Sequence, residues 1–112
     1  MALKKQTKNS PSLFKLPTSF EMGCRTYKVN IIEDLAKRGE AVGMHHFHAA
    51  EIDIDGKIDN EELRMLTFYH EIFHALFESQ GREDLSSNEA LVDTSATLLC
   101  QMMKTAKYHE KS

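Results

Sequence analysis

The sequence predicts one α+β domain: a small antiparallel or mixed sheet packed on two main helices. Three observations carry that prediction. Apolar and polar residues alternate through "RTYKVNII" and again through "EIDID", the period of a half-buried strand. Apolar residues at 63, 66, 69, 72, 73, 76 and 77 follow the 3.6-residue period of a helix. A second helical stretch, 87–106, carries Leu91, Leu98, Leu99, Met102 and Met103.

In chain order, residues 1–18 mix Lys, Ser, Asn and Pro without a period and read as a flexible arm, pinned by Leu13, Phe14 and Leu16. The Lys-rich first eight residues read as solvated. "EMGCRTYKVNII" is a strand with Tyr27, Val29 and Ile31 on one face. "EDLAKRGEAVG" is charged and punctuated by Gly, a short helical turn or loop. "MHHFHAAEIDID" follows, and its second half alternates Ile52 and Ile54 with Glu51, Asp53 and Asp55. Asp55-Gly56 supplies a turn able to hold positive φ. A helix begins near Asp59, where Asp59 and Glu62 resemble a capping box, and stops at Gly81. "REDLSS" is a short polar link to the second helix, and 107–112 is a polar tail. The organisation is an arm at 1–18, a domain at 19–106 and a tail at 107–112.

The bulk properties exclude several classes. With 112 residues, 41% hydrophobic and 28% charged, the chain is sized for one globular domain. A net charge of −3 gives no broad electrostatic case for nucleic acid. No apolar run reaches the roughly 18 residues of a membrane span, and the start lacks a secretory apolar region. Cys24 and Cys100 form no CxxC and read as reduced thiols, which fits a cytoplasmic setting.

The chemistry lies in "TFYHEIFHALF", residues 67–77. On a helix, His70 and His74 share a face, with Cβ atoms about 5–6 Å apart. Two imidazole nitrogens then reach one zinc ion at roughly 2.0–2.1 Å. Glu71 is offset by one position, near the metal but not on it, where a carboxylate can take a proton from a water whose pKa zinc lowers. This is the content of the HExxH pattern. Phe68, Ile72, Phe73, Ala75 and Leu76 around it are uncharged, as a helix buried under a site requires. The bland alternative is a half-buried helix with two core histidines. A catalytic zinc needs a third protein ligand. In "SSNEALVDTSA", Glu89 and Asp93 share a helical face: Glu89 can bind the metal, and Asp93 can accept a hydrogen bond from the far nitrogen of a ligand histidine. Against this, Ser86 and Glu89 also fit a capping box, and Asp93 a solvated face.

"HEIFH" followed by "NEALVD" resembles the gluzincin class of zinc metallopeptidases, to which thermolysin belongs. The short gap from His74 to Glu89 is similar to the minimal ImmA/IrrE-type enzymes of phages and mobile elements. The resemblance covers residues 67–98 by motif and about 25–103 by layout. It implies a minimal zincin-like fold in which His70, His74 and Glu89 hold zinc, Glu71 is the general base, and Asp93 is the partner of a ligand histidine, His70 foremost. Asn88 matches the family segment, whereas Val92 stands where the family has Ser. The strand before the helix fits a sheet whose edge strand pairs with an extended substrate. The implied substrate is a protein or peptide, with a regulatory protein among the options, in a bacterial or phage-infected cytoplasm. For the group that stabilises the oxyanion or contacts substrate, the sequence offers His48, Tyr108, His109 and Tyr27, without a spacing argument for any.

Three other features compete. A zinc-stabilised binding or regulatory module without hydrolysis is the second functional reading, supported by the missing oxyanion group. Residues 51–62 overlap an EF-hand calcium loop, although Glu51 stands where the loop wants Asp; a strand, a turn and a helix cap explain the same residues. His45, His46 and His48 read as a polar strand start or loop, with His48 lining the site as the minority case. Met65, Met102 and Met103 read as core filler, and Cys100 as a buried thiol.

Overall fold

The fold is built on one sheet face that a single long helix covers. In a computed structural model, residues 15–36 and 42–109 are described. The strands are β1 (Ser19–Met22), β2 (Arg25–Ile32), β3 (Gly43–His46) and β4 (Glu51–Asp55). The helices are α1 (Glu61–Ser79), a single turn α2 (Glu83–Ser86), and α3 (Glu89–Thr105). The sheet is mixed, in the order β1-β2-β4-β3. β1 and β2 are antiparallel, β2 and β4 parallel, and β3 and β4 antiparallel.

The expected strand at 21–32 is a hairpin. Gly23 and Cys24 have φ of 62° and 63°, the positive pair of a type I′ turn that matches strand twist. Cys is an unusual residue for the second position, so the turn is not conspicuous in sequence. Tyr27 and Ile52 are fully buried and Ile54 nearly so, on the face toward α1. Ile31 shares that face in register with Ile54 but is 64% exposed, because α1 crosses the β3–β4 side of the sheet. Ile52, Ile54, Ile58 and Phe68 form the core, with Leu16, Phe20, Val29, Tyr69 and Ile72 packed around it. Leu16 thus ties down the end of the arm, while Leu13 and Phe14 lie outside the described residues, as does the rest of 1–14.

β4 is interior, and among the described residues the edges belong to β1 and β3. The segment expected to offer an edge is therefore split, and only Gly43–His46 can do so. β3 lies close on α1: a Cβ on Gly43 would sit 2.6 Å from Thr67 Cγ2 and 3.3 Å from the Glu71 side chain. Arg25 holds the following turn, donating to the carbonyls of Phe47 and His48 while its guanidinium covers the Phe47 ring.

Asn60, rather than Asp59, caps α1, its Oδ1 accepting from Leu63 N–H at 2.8 Å. The other end is a Schellman motif: Gly81 at φ 73°, with Arg82 N–H donating to Phe77 O and Gly81 N–H to Glu78 O. Gly56 does not have positive φ; its value is space, since a Cβ there would meet Ile31 at 3.0 Å. Asp55 is buried and accepts from the backbone of Ala36 and Lys57, and Asp53 accepts from Asn30 and pairs with His46. These carboxylates are spent within the fold, and among the described residues 51–62 form a strand, turn and helix start rather than a calcium loop.

α3 departs most from expectation. Its buried line is Val92, Ala96 and Cys100, while Leu98 and Met102 are 59% and 55% exposed and Met103 also faces outward. Residues four apart form the buried line, Leu91 and Leu99 are half-buried, and Leu98, Met102 and Met103 lie outside. Met65 alone of the three methionines is core. Cys100 is buried as expected, and Cys24 is exposed. Among the described residues no helix is long and apolar enough to cross a membrane.

Candidate metal centre

Two elements bring the predicted ligands together. α1 carries His70 and His74 one turn apart, and α3 begins at Glu89 directly opposite. Asn88 caps α3, its Oδ1 accepting from Leu91 N–H at 3.1 Å. The Ser86 cap weighed against a ligand role for Glu89 is therefore not formed. The Glu89 carboxylate lies 3.5 Å from His70 Nε2 through Oε1 and 3.5 Å from His74 Nε2 through Oε2. Ligand atoms of the three residues lie within 4.8 Å of one another.

At 3.5 Å these are poor hydrogen bonds. They are close to the separation of ligands around one ion: atoms bound at about 2.0–2.1 Å at the tetrahedral angle lie about 3.3–3.4 Å apart. The two rings are inclined at 66°, so lone pairs in their planes can converge. Among the described residues neither Nε2 has a closer polar partner.

The opposite ring nitrogens are occupied. His70 Nδ1 lies 2.8 Å from Asp93 Oδ1, an ion-pair contact rather than an aligned hydrogen bond. His74 Nδ1 is 3.0 Å from Ser86 Oγ, and Ser86 donates its hydroxyl to Glu78 Oε2 at 2.8 Å. Ser86 Oγ is left to accept from His74 Nδ1–H. His74 thus carries hydrogen on Nδ1 and a lone pair on Nε2, the tautomer a metal needs, and the Asp93 carboxylate stands beside Nδ1 of His70. Burial, assisted by the neighbouring His45, holds the His74 pKa below the ordinary histidine value and favours the unprotonated ring. His74 is 7% exposed and Glu89 largely exposed, so the ligand set is closed toward the core and open on one side.

A second group of possible ligands comprises His45, His74 and Glu78. Here the two rings are stacked, 8° from parallel with centroids 4.7 Å apart. Stacked parallel planes do not share a point near the rings, so one ion cannot lie in the plane of both. His45 is also engaged on both sides, at 3.2 Å from Glu71 Oε1 through Nδ1 and 3.0 Å from Glu78 Oε2 through Nε2. This group is a hydrogen-bonded cluster. The bond to Glu71, with further help from Glu78, raises the His45 pKa against the opposing effect of burial. Burial pushes Glu78 up, but bonds from Ser86 and His45 outweigh it and bring its pKa below the usual value.

Glu71 is 6% exposed, against β3, one position from the ligand pair. Beside it opens a cavity of about 320 Å³ lined by Val42, Gly43, Leu63, Leu66, Thr67 and Thr97 together with His70, Glu71 and Asp93. The site therefore contains the three predicted ligands, the predicted base and Asp93, along with two residues that sequence reading did not assign to it, His45 and Ser86.

The four residues offered for the oxyanion or substrate are elsewhere. Tyr27 is fully buried, stacked on Phe20 with its hydroxyl 3.4 Å from Ser79. His48 sits in the turn after β3, exposed and edge-on to Phe47. Tyr108 is 77% exposed beyond α3, and His109 follows it in the exposed tail. None of the four belongs to the ligand group or to the network around Glu71. Comparisons of the chain with protein-family models, with curated proteins and with solved structures gave no match.

Proposed function

We propose that the protein is a zinc-dependent peptidase, a minimal zincin-like domain of the gluzincin, ImmA/IrrE-like type. One observation carries the reading: His70 Nε2, His74 Nε2 and a Glu89 carboxylate converge at ligand-to-ligand distances, with His74 held in the metal-binding tautomer by Ser86 and Asp93 beside the far nitrogen of His70. Two nitrogens and one carboxylate are a donor set suited to zinc, and a side open to solvent suits a catalytic rather than a closed structural site.

His70, His74 and Glu89 would hold the ion. Bound zinc supplies a Lewis acid that polarises a carbonyl and acidifies water near neutral pH. Glu71 takes the proton from the attacking water and returns it to the leaving amine, the role its place beside the ligands allows. Asp93 and Ser86 keep the two rings turned toward the ion. The free edge of β3 is available to align an extended peptide by main-chain hydrogen bonds. The cavity with Val42, Leu63 and Leu66 on its wall is large enough to take an apolar side chain.

The test has two parts. Protein purified without added metal should hold one zinc per chain, and Glu89→Ala should lose it. Glu71→Gln should keep zinc while cleavage of a mixed peptide library, followed by mass spectrometry, disappears. Undiminished cleavage by Glu71→Gln excludes the mechanism. Absence of zinc from the wild type even after reconstitution leaves His70 and His74 as core histidines.

A further inference from the structure

Glu71 is buried against β3, yet it has a single side-chain partner. Oε1 faces His45 Nδ1 at 3.2 Å, and among the described residues Oε2 has no hydrogen bond. A buried carboxylate with one partner depends on that partner for both solvation and direction. His45 is itself fixed from the far side, by Glu78 at 3.0 Å, and by stacking on His74. Glu78 in turn accepts from Ser86, whose oxygen accepts from His74. The chain His74–Ser86–Glu78–His45–Glu71 runs without a gap from a ligand to the base. It joins α1, α2 and β3, and none of its links comes from neighbours in sequence other than the turns of α1 itself.

We infer that His45 is the positioning residue for Glu71: its Nδ1–H holds Oε1, leaving Oε2 as the oxygen that exchanges a proton with water. The inference rests on the peptidase reading above. The strand is part of the device. Gly43, two residues earlier on the same face, lets β3 approach α1 closely enough for His45 to reach over Glu71. A role in packing alone would require only a ring of this size beside His74. A positioning role requires a donor at the Nδ1 position, and that difference is measurable.

The experiment uses the full chain loaded with zinc and acetohydroxamic acid as the probe, titrated by calorimetry. A hydroxamic acid chelates the ion and passes its hydroxyl proton to a neighbouring carboxylate, so its affinity reports where Glu71 stands without a known substrate. Loss of a charge-assisted hydrogen bond predicts a weakening of about tenfold or more for Glu71→Gln and about tenfold for His45→Leu. His45→Asn, whose amide nitrogen takes the place of Nδ1, should stay within about threefold of wild type. The double variant His45→Leu/Glu71→Gln should bind no more weakly than Glu71→Gln alone, the sign of two residues acting through one another. All variants should keep one zinc per chain.

Wild-type affinity in His45→Leu, or losses that multiply in the double variant, overturns the inference. If His45→Leu does not fold, His45→Gln decides, because its amide reaches Glu78 but not Glu71: wild-type affinity there also overturns it. A zinc-loaded wild type that does not bind acetohydroxamic acid sinks the peptidase reading and this inference together. Binding by the wild type with no effect at His45 sinks this inference alone.

Discussion

Ser86 would support the proposed metal site without being a ligand. It is 4% exposed and serves two groups at once, accepting from His74 Nδ1–H and donating to Glu78. Removing such a partner from a ligand histidine typically weakens metal binding about 10–100-fold. Ser86→Ala should therefore lower zinc affinity by that factor, measured by competition with a chelating dye. An unchanged affinity would mean that packing alone fixes the His74 ring. The candidate ligands and Asp93 were legible in sequence because they come from local spacing: His70 and His74 are four apart, and Glu89 and Asp93 repeat the interval. Ser86 and His45 were not legible. Ser86 looked like a helix cap, a role that Asn88 takes, and His45 lies 26 residues from the Glu71 it contacts. Only the fold places either residue.

Among the elements, β3 and α1 meet closely at Gly43, where the contact is open to test. Thr67 is locked, its hydroxyl donating to Leu63 O at 2.7 Å, so its Cγ2 methyl is fixed against the Gly43 backbone. Gly43→Ala would place a Cβ at 2.6 Å from that methyl and force β3 away from the helix. Overpacking of this kind costs about 1–3 kcal/mol. Thr67→Ser removes the methyl and keeps the hydroxyl, so Gly43→Ala/Thr67→Ser should recover most of the loss in urea unfolding. Additive losses would show that the clash is relieved elsewhere. α1 was well predicted because its period is long and Gly81 ends it with positive φ. The hairpin at Gly23-Cys24 was missed because its turn lacks the usual residues. The stripe of α3 was misjudged because apolar size was taken as the sign of burial. The contact uses Val92, Ala96 and Cys100, where small side chains allow close approach, and Leu98 and Met102 are left outside.

At the scale of the whole molecule, the candidate centre spans the two long helices, which also pack on each other. α3 buries Val92, Ala96 and Cys100, and the bridge from Lys104 to Glu62 at 2.7 Å is exposed and so contributes little. An ion held by His70 and His74 on one helix and Glu89 on the other would clamp the pair. A ligand that binds only the folded state at about 100 times its Kd stabilises by about 2.7 kcal/mol. With Tm moving about 4–8 °C per kcal/mol in a domain of this size, that predicts a rise of about 10–20 °C. Glu89 is mostly exposed and makes no close hydrogen bond, so its loss should scarcely change the metal-free protein. Metal-free Glu89→Ala should melt within about 2–4 °C of the metal-free wild type, since exposed substitutions usually stay within about 0.5 kcal/mol. The same zinc concentration should raise the Tm of the variant far less. An equal rise in both proteins would place the ion somewhere other than between the helices. A lower Tm for the metal-free variant would mean that Glu89 stabilises the fold through its neighbours rather than through a metal. The comparison therefore separates a helix clamp from a simple ion pair, using only melting curves with and without chelator.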